Sequence, residues 1–141
     1  MSLPENLKYL MTEAEISTVA LAEATGTDSS TIYTLLRGDG LPNTETLIKL
    51  ADCFGCSTDY LLGLKDAPDD VTFKQCPPFG EQLTFLLKHF NITKYRLEKD
   101  TRLSEKTVNR WHNGKTHPTA ESLIRLSAYF GCSVDFLLGR V

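Results

Sequence analysis

The side chains best placed for binding chemistry lie in residues 93–114, TKYRLEKDTRLSEKTVNRWHNG. Two short helices with a turn between them are predicted here, because Thr93 and Ser104 can each accept hydrogen bonds from the free N–H groups of a first helical turn. In the second helix, Val108 and Trp111 stand at i, i+3 and can face a core together. Its outward positions are polar, and most can hydrogen-bond a base edge or a phosphate: Glu105, Lys106, Thr107, Asn109 and Arg110.

A helix, a tight turn and a second, polar-faced helix form a shape that places one helix in a DNA major groove while the other braces it. Gly114 ends the second helix, since glycine adopts the left-handed conformation freely. With the run LEKDTRLSEKTVNRWHNGK, then Pro118 and ESLIRLSAYFGCSVDFLLG, the sequence resembles the lambda-repressor-like (XRE) family of helix-turn-helix domains. The resemblance implies an all-α fold and a bacterial or phage DNA-binding transcriptional regulator of repressor type.

The resemblance also implies roles for individual residues. Similar proteins hold a phosphate at the first residue of the motif's first helix, commonly with a glutamine; here that residue is Lys94. They read bases from the opening of the second helix, which in this chain is formed by Glu105, Lys106 and Thr107. Related domains touch the DNA backbone from the loop that follows, where this sequence has Asn113, Lys115 and Thr116.

Hydrogen-bonding capacity gives further expectations for the second helix of the motif. Arg110 can pair with guanine or a phosphate, and Asn109 with adenine or a phosphate. Glu105 can accept from the amino group of cytosine but repels phosphates, so it narrows the choice of site. We interpret Lys88, Lys99 and Arg125 as a solvated helix face.

The sequence repeats itself without gaps at an offset of 76 residues. Gly55 corresponds to Gly131 and Gly63 to Gly139, and ETLIKLADCFGCSTDYLLG matches ESLIRLSAYFGCSVDFLLG. Such a match favours two tandem copies of one domain. The predicted fold is therefore all-α: two tandem five-helix lambda-repressor-like helix-turn-helix domains at residues 1–64 and 79–141, joined by a linker at 65–78.

Each copy is expected to build five short helices around one core. They are predicted near residues 5–13, 18–24, 29–36, 44–53 and 58–62, and again near 80–89, 94–100, 105–112, 120–129 and 134–138. Core positions follow the apolar spacing and recur 76 residues later. In the first copy these are Leu7, Leu10, Ile16, Leu21, Ile32, Leu35, Leu47, Ile48, Leu50, Phe54 and Leu61.

Charge separates the two copies, although the whole chain has a net charge of only −3. Residues 1–70 carry four basic and twelve acidic residues, and residues 79–141 carry ten basic and six acidic residues. The net charges are therefore −8 and +4. Because phosphate attraction supplies most non-specific DNA affinity, the second copy is the stronger candidate for double-stranded DNA.

The first copy has a good turn, with Leu21, Ala22 and Gly26, but few cations. Its weaker DNA-binding candidates are mostly hydroxyl residues: Thr18, Ser29, Ser30, Thr31, Tyr33, Thr34 and Arg37. Two alternatives stay open for this copy. It binds DNA weakly once the second copy has anchored the chain, or it binds a protein partner, as an antitoxin- or anti-repressor-like module does.

The remaining signals argue against other classes. Cys53 and Cys56 form a CxxC, but the spacing is not repeated at Tyr129 and Cys132, and no histidine stands at metal-ligand spacing, so we expect no metal and no cofactor. We see no pattern of catalytic residues and expect no enzyme. Without a signal peptide or an apolar span, a cytoplasmic protein is predicted, with a homodimer as one way to pair half-sites.

Overall fold

The computed structural model describes residues 2–67 and 72–141, and it separates into two compact units, Met1–Phe73 and Lys74–Val141. These described residues form helices and connecting loops, with no β-strand among them. The all-α prediction is thus confirmed. The linker boundaries stay a prediction, since residues 68–71 lie outside the described residues. Lys74 already belongs to the second unit, where its N–H donates to the Arg140 carbonyl at 2.6 Å.

The first unit contains five helices. They are α1 (Leu3–Glu13), α2 (Thr18–Thr25), α3 (Ser29–Arg37), α4 (Thr44–Phe54) and α5 (Thr58–Leu61). Helix α3 packs against α1 and α2, while α4 contacts α2 and α5 closes the unit against α1 and α4. Each helix lies within two residues of its predicted bounds.

The second unit repeats this arrangement. Its helices are α6 (Phe79–His89), α7 (Lys94–Thr101), α8 (Glu105–His112), α9 (Ala120–Phe130) and α10 (Val134–Leu138). Helix α8 packs against α6 and α7, α9 packs against α7 and α10, and α10 returns to α6. The polar-faced helix predicted from the sequence is α8, and α7 is the helix that braces it.

Side-chain caps explain why these helices begin where they do. Thr93 accepts from the Arg96 N–H, and Ser104 accepts from the Thr107 N–H, both at 3.1 Å. Caps also precede α4, α5, α9 and α10, at Asn43, Ser57, Thr119 and Ser133. Each cap satisfies an N–H that has no partner inside the helix, so the predicted caps at Thr93 and Ser104 are confirmed.

Most of the predicted core is buried. In the first unit the buried members are Leu7, Leu21, Ile32, Leu35, Leu47, Leu50 and Leu61, and in the second they are Leu83, Leu86, Leu97, Val108, Trp111, Leu123, Leu126, Phe130 and Leu137. Six predicted positions are only half-buried, because they lie at the edge of the helix packing: Leu10, Ile16, Ile48, Phe54, Ile92 and Ile124.

A polar contact inside each unit also repeats at the offset of 76. Asn6 Nδ2 donates to the Tyr60 carbonyl at 2.8 Å, and Gln82 Nε2 donates to the Phe136 carbonyl at 3.0 Å. Both side chains are buried, so each bond ties the first helix of a unit to its last helix. The second unit adds a buried ion pair, in which Arg140 Nη1 lies 2.6 Å from Asp135 Oδ1.

Candidate nucleic-acid interface

The turn between α7 and α8 is built around Arg102. This residue has a left-handed backbone with φ of 61°, and Gly26 has φ of 66° at the equivalent place in the first unit. A left-handed arginine costs about 1 to 2 kcal/mol in backbone strain. The turn nevertheless keeps the same shape, which places α8 against α7 with its polar side outward.

Two side chains of α9 hold α7 in place. Arg125 Nη2 donates to the Thr101 carbonyl, and the Tyr129 hydroxyl donates to Asp100 Oδ2 at 2.7 Å. The Tyr129 hydrogen bond lowers the pKa of Asp100, and the guanidinium of Arg96, 2.9 Å away, acts in the same direction. Arg125 therefore braces the motif and is not a purely solvated side chain.

The inner side of α8 anchors the helix. Val108 and Trp111 are buried, and the Trp111 ring meets the Phe79 ring edge-on at 6.0 Å. Gly80 allows α6 to approach the end of α8 closely, since a Cβ atom there would lie 2.2 Å from the His112 carbonyl oxygen. With its inner side fixed in this way, α8 presents its polar residues to the outside.

Most of the predicted residues of the second unit meet in one shallow pocket along α8. The pocket has a volume of about 510 Å³ and is lined by Glu105, Lys106, Asn109, Arg110, Asn113 and Lys115. Three of these side chains are cations and one is a carboxylate. Asn109 is half-buried and the other five are exposed, so the pocket opens directly to a molecule lying against α8.

The other three candidates of this unit lie near this pocket without lining it. Thr107 is half-buried, and its hydroxyl oxygen accepts from the Ser104 hydroxyl at 2.8 Å. Thr116 is exposed in the loop after α8. Lys94 opens α7, and its Nζ donates to Asn109 Oδ1. The phosphate candidate and the α8 pocket are therefore joined by one hydrogen bond.

A second shallow pocket, of about 410 Å³, adjoins the start of α7. Lys94, Lys88 and His112 contribute to its lining, with Thr84 and Thr93 among the neighbours. The Thr84 hydroxyl lies 3.1 Å from His112 Nε2. Sequence reasoning missed Lys88 and His112 as candidates. The signal was available in the repeat, since the first unit has uncharged Thr12 and Leu36 at the equivalent positions.

The first unit places its candidates differently. Thr18 and Tyr33 line a pocket of about 790 Å³, which corresponds to the one at the start of α7. Met11 and Ile16 match Leu87 and Ile92 there, whereas Leu36 takes the place of His112. The exposed candidates on α3 are Ser30 and Tyr33, and the half-buried ones are Ser29, Thr31 and Thr34. The Thr34 hydroxyl donates to the Ser30 carbonyl at 2.9 Å. Arg37 Nε donates to Asp39 Oδ2 at 2.9 Å. The pocket of the first unit is therefore less cationic than the equivalent pocket of the second unit, since it contains Lys8 and Glu15 whereas the latter contains Lys88 and Lys94.

The remaining features of the described residues concern metal binding and membrane spanning. Across residues 2–67 and 72–141, no group of three or more His, Cys, Asp or Glu side chains is arranged to hold a metal ion. Cys53 is exposed and Cys56 is buried, while Cys76 and Cys132 are half-buried. None of the helices within the described ranges has the length and apolar content needed to cross a bilayer.

Comparison with known proteins places both units in one family of domains. The family model of helix-turn-helix domains HTH_3 matches residues 7–61 and again residues 85–137. The HTH-type transcriptional activator BcrR of Enterococcus faecalis is 33% identical over 60 residues, which are 43% of this chain and 29% of BcrR. The HTH-type transcriptional regulator DicA of Escherichia coli K12 is 30% identical over 59 residues, 42% of this chain and 44% of DicA. The similarity thus spans less than half of either relative.

Among solved structures, a transcriptional regulator from Listeria innocua aligns with 77% of this chain and 94% of its own. The sequence identity is 22% and the TM-score is 0.43.

Proposed function

The chain belongs to the lambda-repressor-like helix-turn-helix family, and on that premise we propose that it is a DNA-binding transcriptional regulator. Its second unit would insert α8 into the major groove of double-stranded DNA, with α7 across the backbone. The regulators BcrR and DicA support this class of function. The role would be repressor-like: the protein occupies an operator and changes polymerase access.

The polar pocket along α8 is the observation that carries this proposal. Its cations are Lys106, Arg110 and Lys115, and it lies within residues 79–141, whose net charge is +4. Cations on a helix face attract phosphates, and their N–H groups can donate to base edges once the helix is seated. Asn113 and Lys115 follow α8, where they would contact the backbone together with Thr116.

The remaining candidates fit the same arrangement. Lys94 would hold a phosphate at the start of α7, and the half-buried Thr107 would contribute at the opening of α8. Two such recognition helices would bind half-sites about one helical turn apart. They would belong to the two units of one chain or to the two chains of a homodimer.

The decisive experiment selects bound sequences from a random duplex pool with the full chain. Wild type is expected to enrich a motif, and Lys106→Ala and Arg110→Ala are each expected to weaken binding to it by about 1 to 3 kcal/mol, the value of a good bidentate base contact. Lys99→Ala is the matched control, since Lys99 is an exposed lysine on α7 outside both pockets. If both α8 variants keep the affinity and sequence preference of wild type, the polar side of α8 is not the surface that contacts the bases.

A second candidate function concerns the first unit, which would bind a basic protein partner through its α3 face. The favouring observation is the pocket beside Tyr33, which has uncharged Thr18 and Leu36 where the second unit has Lys94 and His112. Asp39 also offsets the charge of Arg37 at the end of α3. In this case the protein would resemble an antitoxin or anti-repressor in its partner binding, and unit two would supply the DNA affinity.

A further inference from the structure

The side-chain amide of Asn109 is held in one orientation by Lys94. Lys94 Nζ donates to Asn109 Oδ1, and both side chains are half-buried where α7 meets α8. An ammonium group has donors and no acceptor, so the oxygen of the amide and not its nitrogen must face Lys94. The amide of Asn109 is therefore oriented before any DNA binds.

Two pockets of the second unit show where the rest of the amide points. Lys94 lines the pocket at the start of α7, whereas Asn109 lines the pocket along α8. Because the amide oxygen is turned toward Lys94, the NH₂ group on the other side of Cγ is left for the α8 pocket. Asn109 thus offers two N–H donors to a molecule lying against α8.

The neighbours of Asn109 in this pocket are also mainly donors. Lys106, Arg110 and Lys115 have donors and no acceptors, and among the six lining residues Glu105 is the one carboxylate. In the major groove, guanine presents two acceptors, N7 and O6. Adenine presents one acceptor and one donor, and its bidentate contact with asparagine needs the amide oxygen, which is turned toward Lys94.

We infer that Asn109 contacts guanine and not adenine, and that the half-site of the second unit contains G·C pairs along α8. The cytosine amino group, the donor of such a pair, would face the Glu105 carboxylate. Lys94 is a positioning residue for Asn109 and keeps further N–H donors for a backbone phosphate. This inference rests on the proposed function, because it assumes that α8 lies in the major groove.

The first unit cannot make the same contact. Its residues at the equivalent positions are Thr18 and Tyr33, which provide neither an ammonium group nor a side-chain amide. A shared half-site for the two units is therefore not expected.

The test is sequence selection with the full-length chain in four forms: wild type, Asn109→Ala, Lys94→Met and the control Lys99→Met. Wild type is expected to enrich guanine at one position whose preference disappears in Asn109→Ala. Lys94→Met removes the ammonium but keeps the aliphatic stem, so the freed amide should accept adenine there, with the guanine-to-adenine ratio falling about tenfold. Lys99→Met should retain the wild-type ratio.

A base analogue checks the contact directly. Replacing that guanine by 7-deazaguanine removes the N7 acceptor, so wild-type affinity should fall about tenfold while Asn109→Ala loses little. Circular dichroism and thermal unfolding confirm that each variant is folded.

Three results would overturn the inference while leaving the proposed function intact. In the first, wild type prefers adenine at the position whose base preference is lost in Asn109→Ala. In the second, the guanine-to-adenine ratio is unchanged in Lys94→Met. In the third, no position of the enriched motif depends on Asn109. A wild-type chain that enriches no motif is a different result, since it removes the proposed function as well.

Discussion

Gly80 shows how a single missing side chain positions α8. Helix propensity alone predicts that Gly80→Ala stabilises α6 by about 1 kcal/mol. The added Cβ would instead meet the His112 carbonyl oxygen at 2.2 Å, and neither atom can rotate away, because the backbone fixes the positions of both. We expect a net loss of about 1 to 3 kcal/mol in the free energy of unfolding. Denaturant titration, monitored by the fluorescence of Trp111, measures this loss in the second unit, because Trp111 is the one tryptophan of the chain.

Gly40 is the matched control for that substitution. No heavy atom of the described residues lies within 4 Å of a Cβ built on Gly40, and its φ is not positive. Gly40→Ala should leave the protein equally stable or more stable by up to about 1 kcal/mol, as judged by circular dichroism. A Gly80→Ala protein that unfolds at the same denaturant concentration as wild type would show that α6 and α8 can separate without cost.

The hydrogen bond between Tyr129 and Asp100 predicts a pH-dependent contribution to stability. Burial and the bond to Asp100 raise the pKa of Tyr129, and the bond lowers the pKa of Asp100. A lowered aspartate pKa stabilises the fold above about pH 3.9, and the effect is lost as the pH falls through the folded value. A raised tyrosine pKa stabilises it below about pH 10, and this effect is lost as the pH rises through the folded value.

Tyr129→Phe should therefore lower the free energy of unfolding between about pH 4 and pH 10. Below and above this window the difference from wild type should shrink. Denaturant titrations of both proteins at pH 3, 7 and 11 make the comparison. An equal difference at all three values would mean that the hydroxyl acts through packing and not through its bond to the carboxylate.

Single residues also show which features could be read from the sequence. The caps Thr93 and Ser104 were predictable, because a cap acts on N–H groups two or three residues away. The buried Asn6 and Gln82 were not, because their partners are carbonyls 54 residues away on another helix. The Asp135–Arg140 ion pair was missed as well, since nothing local marks this arginine as buried.

At the scale of helices, the sequence predicts the backbone better than the pockets. Helix α8 and its polar side follow from caps and apolar spacing, and six of its unit's nine candidates do meet in one pocket. The pocket at the start of α7 combines side chains from α6, α7 and α8, including Lys88 and His112. Its content depends on packing between helices, so spacing along one helix could not reveal it.

Helices α3 and α8 further show that equivalent positions need not have equivalent chemistry. Both helices follow a left-handed turn and bury the same inner positions, Ile32 and Leu35 in α3 and Val108 and Trp111 in α8. Their outer sides differ, since Tyr33 replaces Asn109 and Thr18 replaces Lys94. The repeat therefore predicts the helical scaffold of both units. What the outer side of α3 or of α8 can bind has to be inferred from the side chains of that helix.

For the whole molecule, the unequal charge of the two units is the property with the widest consequence. A unit with a net charge of −8 repels a duplex, and this repulsion acts over about 8 to 10 Å at physiological salt. Asp28 and Asp39 are exposed at the two ends of α3, where they would oppose any DNA contact by that helix. Asp28→Asn combined with Asp39→Asn should therefore raise DNA affinity a few-fold at low salt, with the gain disappearing as salt increases.

Binding titrations of the full chain at several salt concentrations, combined with sequence selection, decide what the first unit does. Asp66→Asn is the control, because it removes an equivalent exposed charge away from α3. We expect the double variant to keep the wild-type half-site, since its new amides add no cation to α3. A new bipartite motif would mean that α3 also reads bases once repulsion is removed. An affinity equal to that of the control at every salt concentration would mean that the α3 face does not contact DNA in the complex. This result would favour the protein-partner role, because the α3 face would then be free to bind a basic protein surface.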